Sequence, residues 1–206
     1  MELLAGRTWR AALQRAGAIP PARAADWLQQ LLDGVHVAHE AGIVHRDLKP
    51  ENVMLTPAPG GGERVKVMDF GLAKVHGPGA VTTETVTKAG SVVGTIGYMA
   101  PEEIAGASVD ARADIFSIGV MVVESLTGQR PFRGRTPQEV MSAVLRDSYQ
   151  LPGDGVEVHA LDRILQRCLA KDASDRYGSA AELAGDLVPA LHACPALGHD
   201  ENITKA

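Results

Sequence analysis

His45-Arg46-Asp47-Leu48-Lys49-Pro50-Glu51-Asn52 decides how this chain is read. The octet packs ionisable and amide side chains around one proline, directly after the apolar pair Ile43-Val44. A core strand does not accept that density of charge, and a surface helix does not accept Pro50 in its interior. A rigid loop that aims polar groups at a ligand satisfies both constraints. On it Asp47 offers an acceptor, Lys49 a fixed positive charge and Asn52 an amide oxygen. A carboxylate base, a cation and a metal-ligand oxygen on one short loop suit transfer of a phosphoryl group.

Working outward, the upstream stretch from Ala24 to His39 repeats Trp27, Leu28, Leu31, Leu32, Val35 and Ala38 at three- and four-residue spacing, which predicts an amphipathic helix. Gly42 ends it, and Ala18-Ile19-Pro20-Pro21 precedes it as a break. Thr8 is expected to cap a shorter helix through Gln14. His36 and His39 lie three apart on the longer helix, but no third ligand is near in sequence, so a helix-surface role is expected for both. Downstream, Val53-Met54-Leu55 and Val65-Lys66-Val67-Met68 read as the two strands of a hairpin. The Gly60-Gly61-Gly62 run between them is its loop and not a phosphate cradle, because no Lys-Ser/Thr follows.

Asp69-Phe70-Gly71 closes the second strand: a carboxylate at a strand end, a bulky anchor and a flexible glycine make a metal-holding hinge. From Ala73 to Val93 small and hydroxylated residues show no period, and Thr82, Thr83, Thr85, Thr87 and Ser91 are plausible phosphoacceptors. Gly94-Thr95-Ile96-Gly97-Tyr98-Met99-Ala100-Pro101-Glu102 follows. Asp110 to Leu126 is apolar on nearly every face, so it is a buried helix whose Asp110, Arg112 and Asp114 must be paired if they follow it inward. Three more helices are expected: from Thr136 to about Arg146, from Leu161 to Leu169, and from Ala180 to Leu191. The tail after Pro195 reads as frayed.

Composition narrows the class. With 206 residues and 45% hydrophobic content the chain can bury one good core, filled by aliphatic side chains because only 4% of residues are aromatic. A net charge of −5 leaves no electrostatic footprint for nucleic acid or anionic membrane. The longest central apolar run, Ile115 to Val123, is far short of the roughly 20 residues a membrane span requires. Cys168 and Cys194 have no metal-ligand spacing, and their small number favours a reducing, cytoplasmic setting.

The octet has the H-R-D-L-x-x-x-N form, Asp69-Phe70-Gly71 the D-F-G form and Ala100-Pro101-Glu102 the A-P-E form. In that order and spacing the chain resembles the large, mostly helical C-terminal lobe of a bacterial-type Ser/Thr protein kinase of the eukaryotic-like superfamily, over about residues 1 to 192. The fold class expected is mainly α with a small β hairpin, the β-rich N-terminal lobe being absent, and residues 193–206 form a flexible tail. The resemblance implies ATP and Mg²⁺ as cofactors and a protein substrate bearing Ser or Thr. Asp47 would be the base for the substrate hydroxyl, Lys49 would steady the γ-phosphate, and Asn52 and Asp69 would hold the metal ions. Thr95 would tie the substrate-docking loop to Asp47 and Lys49. Residues 1–6 resemble the hinge between lobes, so Glu2 and Leu4 would face the adenine edge and Met54 would lie below it. His45, Arg46, Phe70 and Gly71 complete their motifs structurally, and Arg46 would help bind a phosphorylated activation segment, residues 69–102. Thr87 is the expected phosphosite in it. Glu102 would pair with Arg176, and Asp114 would brace the catalytic loop.

Two functions fit this reading. One is an ATP-dependent Ser/Thr kinase by descent, whose large lobe alone would transfer negligible phosphate because the Gly-rich loop and the phosphate-aligning lysine are not in the sequence. The other is a binding module of the same lobe that docks protein partners without chemistry. Intact Asp47, Lys49, Asn52 and Asp69 favour the first.

Overall fold

The computed structural model describes residues 5–70 and 95–195. Its first element is a two-residue strand, β1 (Arg7–Thr8), followed at once by α1 (Trp9–Ala16). Thr8 serves both: its backbone closes the strand, and its hydroxyl accepts the Ala11 N–H at 3.1 Å as the helix cap. The long helix α2 (Pro21–Glu40) starts on a proline, where the missing N–H costs nothing. A single 3₁₀ turn, Pro50–Asn52, leads into β2 (Val53–Pro57) and β3 (Glu63–Val67).

These strands form one antiparallel sheet in the order β1-β2-β3. β2 and β3 pair from Val53 with Val67 to Pro57 with Glu63, and β1 adds Arg7 opposite Leu55 and Thr8 opposite Met54. The hairpin expected from sequence is therefore the centre and one edge of a three-stranded sheet. The extra strand has only two residues, too few for an alternating pattern to mark it. Gly60, Gly61 and Gly62 all take positive φ (91°, 100° and 79°), a run that only glycine adopts without strain.

The remainder is helical: α3 (Pro101–Ile104), α4 (Arg112–Thr127), α5 (Pro137–Arg146), α6 (Val156–Cys168) and α7 (Ala180–Ala193). α4 is the axis of the body, buried at every position from Ala113 to Leu126. Gly119 lets α6 approach it, since a Cβ there would lie 2.8 Å from the Cys168 Cβ. α2 lays its Ala24, Leu28, Leu31, Leu32 and Val35 face into one core cluster that also takes Trp9, Phe116, Leu161 and Leu187. α6 begins five residues before the periodic stretch suggests, because its first turn is largely solvated: Val156, Glu157 and His159 are exposed and only Val158 is buried. The last helix runs to Ala193, and Cys194 behind it is buried. Among the described residues no helix is long and apolar enough to cross a membrane.

Candidate active site

Residues 43–49 carry no regular structure, so the octet is held by side chains and not by a backbone ladder. Asp114, on the first turn of α4 and fully buried, does much of that holding. Its Oδ2 accepts the His45 backbone N–H at 2.8 Å and its Oδ1 the Arg46 N–H at 2.9 Å. Arg46 sits at φ 65°, a conformation that costs a non-glycine residue about 1–3 kcal/mol and persists only where surroundings impose it. Its side chain is exposed.

His45 links the loop to the strand that delivers Asp69. Its Nε2 lies 2.8 Å from the Met68 carbonyl and its Nδ1 accepts the Asp47 N–H at 3.2 Å. The two bonds together require the tautomer with hydrogen on Nε2. Met68 N–H in turn donates to the Asn52 carbonyl at 2.8 Å. Asp69 follows at φ 58° with its side chain exposed, and the Phe70 ring meets His45 edge-on at 4.8 Å.

The working groups converge on the Asp47 carboxylate. Lys49 Nζ donates to its Oδ1 at 3.0 Å and to its Oδ2 at 2.8 Å, and reaches Thr95 Oγ1 at 3.4 Å. Asn52 Nδ2 donates to the Asp47 carbonyl at 2.8 Å and to Oδ2 at 2.9 Å. Both acceptors demand the amide nitrogen, which turns the Asn52 oxygen away from Asp47 and frees it as a ligand. Asp47 and Lys49 remain part-exposed, at 21% and 18% of their side-chain surface. The site thus brings together a carboxylate, an ammonium and a hydroxyl, with an amide oxygen on the same loop, and Asp69 directly follows Met68, whose N–H is bonded to the Asn52 carbonyl.

An amide oxygen and a carboxylate, as Asn52 and Asp69 offer, are donor types that suit a hard cation. Among the described residues no group of three His, Cys, Asp or Glu could hold a metal by itself. Two protein oxygens fit Mg²⁺, which keeps waters and takes phosphate oxygens for the rest of its shell. Met54, half-buried on β2, is the described residue on the expected adenine side. Glu2, Leu4, Gly71 and Thr87 lie outside the described residues.

Farther out, Glu102 on α3 meets Arg176 in a two-pronged pair, Nη1 to Oε1 at 2.7 Å and Nη2 to Oε2 at 2.8 Å. Arg176 also donates to the carbonyls of Ala170, Arg112 and Lys171, and its side chain has no exposed surface. His39 is the residue that sequence reading misplaced. It is not a surface histidine: its side chain is 8% exposed and its Nε2 lies 2.7 Å from Asp114 Oδ2. The signal available was its position six residues before His45 on the helix that feeds the loop, but its partner is 75 residues away.

A mostly helical body with a small antiparallel sheet, built around a loop of this composition, is the architecture of the protein kinase superfamily. The chain belongs to that family: the protein kinase domain model matches residues 1–187. It is similar to the serine/threonine-protein kinase PknB of Mycobacterium leprae, 36% identical over 191 residues that cover 91% of this chain and 29% of the relative. PknB of Mycobacterium tuberculosis is 37% identical over 191 residues with the same coverage. A probable serine/threonine-protein kinase of Streptomyces coelicolor is 38% identical over 197 residues, 95% of this chain and 28% of that one. The chain spans under a third of the length of these relatives.

Proposed function

We propose that these residues form the large-lobe half of a protein kinase site that transfers the γ-phosphoryl group of ATP to Ser or Thr hydroxyls of proteins. The observation that carries the reading is the single Lys49 ammonium bridging Asp47 and Thr95. A hydroxyl docked beside Thr95 would meet the Asp47 carboxylate as proton acceptor, with Lys49 placed to neutralise charge on the transferred group. Asn52 and Asp69 would hold Mg²⁺, which when bound supplies charge neutralisation at the phosphates. Glu2 and Leu4 would meet the adenine through their backbone and Met54 through its side chain.

In this reading the nucleotide is clamped by a β-rich small lobe, a part these 206 residues do not supply. The isolated chain is therefore expected to bind Mg-ATP weakly and to transfer negligible phosphate. Calorimetry with Mg-ATP and a radiolabel transfer assay on a generic basic protein test this, with Asp47→Ala as control. Robust turnover by the isolated chain, abolished in Asp47→Ala, would overturn the half-site reading. Within an assembly that includes a small lobe, Asp47→Ala should lower turnover by about 10²–10⁴. Such an assembly should also depend on Thr87 phosphorylation, read by Arg46; unchanged autophosphorylation and turnover in Thr87→Ala would count against that assignment.

A further inference from the structure

Arg10, on the first turn of α1, is far in sequence from Asp47, Lys49, Asn52 and Thr95, yet its guanidinium joins four elements. Nε donates to Glu51 Oε1 at 2.7 Å, Nη1 to Glu124 Oε1 at 2.9 Å and Nη2 to Glu124 Oε2 at 3.2 Å. Nη2 also donates to the Tyr98 hydroxyl, which itself donates to Glu124 Oε2. Glu124 lies in the last turns of α4 with 8% of its side chain exposed, and an acid so placed requires a charged partner. Burial works against charge on Arg10, but the bonds to Glu124 and Glu51 outweigh it and hold the guanidinium protonated. Burial first, and the Glu124 carboxylate next, push the Tyr98 phenol well above its ordinary range, so it stays a donor.

Each partner is one short step from a working group. Glu51 is the middle residue of the 3₁₀ turn whose last residue is Asn52. Tyr98 closes a turn on Thr95, its N–H donating to the Thr95 carbonyl at 3.1 Å, and its own carbonyl accepts from Ser117 Oγ of α4 at 2.7 Å. α4 therefore carries two posts ten residues apart, about 15 Å along the axis at 1.5 Å per residue. Asp114 holds the start of the catalytic loop, and Glu124, through Arg10, holds its end together with the docking segment.

We propose that Arg10 is a positioning residue for phosphoryl transfer, clamping the Thr95–Tyr98 segment and the Pro50–Asn52 turn to the central helix so that Thr95 and Asn52 keep their places around Asp47. This rests on the kinase reading for its function, not for its geometry. A planar fork is needed: three nitrogens serve two carboxylates and a phenol at once, which an ammonium on a flexible stem does not reproduce.

The test is hydrogen exchange by mass spectrometry on the full chain as wild type, Arg10→Ala and Arg10→Lys, and on Arg10→Ala with millimolar guanidinium or matched sodium chloride. Exchange across 95–100 and 47–54 should accelerate about tenfold or more in Arg10→Ala, as expected for loss of charge-assisted bonds. Amides of Leu183 to Leu187 on α7 should be unaffected, and guanidinium but not sodium should restore protection. Uniform acceleration everywhere, no acceleration, or no restoration would overturn the proposal. Should Arg10→Ala fail to fold, Glu51→Gln removes one arm at a half-exposed carboxylate; it should loosen the 47–54 region alone, and equal loosening of 95–100 would refute the clamp. In an assembly competent for transfer, Arg10→Ala should lower kcat while leaving KM for Mg-ATP unchanged. If Asp47→Asn there keeps full turnover, the kinase reading falls while the exchange result stands.

Discussion

Asp114 is the residue whose replacement tests the architecture of the site most sharply. Its carboxylate, without exposed surface, accepts the backbone N–H groups of His45 and Arg46 and faces His39 Nε2. Asp114→Asn preserves shape but leaves one acceptor oxygen where two were used, so one loop N–H must face an NH₂ group. Losing one hydrogen bond to a charged acceptor removes about 1.5–3 kcal/mol, and stranding a buried donor adds about 1–3 kcal/mol. Release of Arg46 from φ 65° returns on the order of 1 kcal/mol. The net loss is about 3 kcal/mol, a large part of the roughly 5–15 kcal/mol that holds a domain together. With a urea slope of about 2 kcal/mol/M, the midpoint should fall by about 1.5 M. Exchange at the His45 and Arg46 amides should accelerate more than the global loss explains. His39→Ala should cost less, since Asp114 keeps both backbone donors. A midpoint within about 0.5 M of wild type, with both amides still protected, would refute the bracing argument.

Two further outcomes follow from the outer shell. Arg176→Ala strands the Glu102 carboxylate and three carbonyls, for about 3–5 kcal/mol, whereas Glu102→Gln leaves the guanidinium its backbone acceptors and should cost about half as much. Thermal melts should show Arg176→Ala lower by about 10 °C, and Glu102→Gln proving the worse variant would count against the geometry. Lys171, whose Nζ donates to the Val144 carbonyl at 2.6 Å and lies 3.9 Å from the Phe132 ring centre, is pushed down to about 8 by burial, with Arg176 adding and Asp147 opposing. Its unfolded value is near 10.4, so between those values the unfolded chain holds more protons and stability rises with pH. Because the ammonium is half-exposed and screened, wild type should gain only on the order of 1 kcal/mol over Lys171→Met between about pH 8 and pH 10. Urea midpoints at both ends read this directly, and a constant difference would contradict it.

What the sequence disclosed depended on how far apart the cooperating residues lie. Asp47, Lys49 and Asn52 are legible because their geometry is local: a six-residue span with Pro50 inside has few conformations, and the side chains meet within it. The buried axis from Ala113 to Leu126 is legible because apolar residues on every face leave no solvent side. The charges around that axis are a different matter. Burying Asp114 on an otherwise apolar helix demands a partner, which the sequence announces without saying which, and the structure adds Glu124 to the same account. The partners are Arg10, 114 residues earlier, and His39 with the loop amides, 68 to 75 residues earlier. An ion pair has no period and no spacing, so nothing in a single chain ties one member to the other. The rule that a buried charge needs a counterpart identifies where a contact must be. Only the fold, by bringing α1 and α2 against α4, supplies it. His39 shows the same limit: it continues the buried stripe of α2, four residues after Val35 and seven after Leu32, so the period marked its face, but nothing in the sequence named Asp114 as its partner.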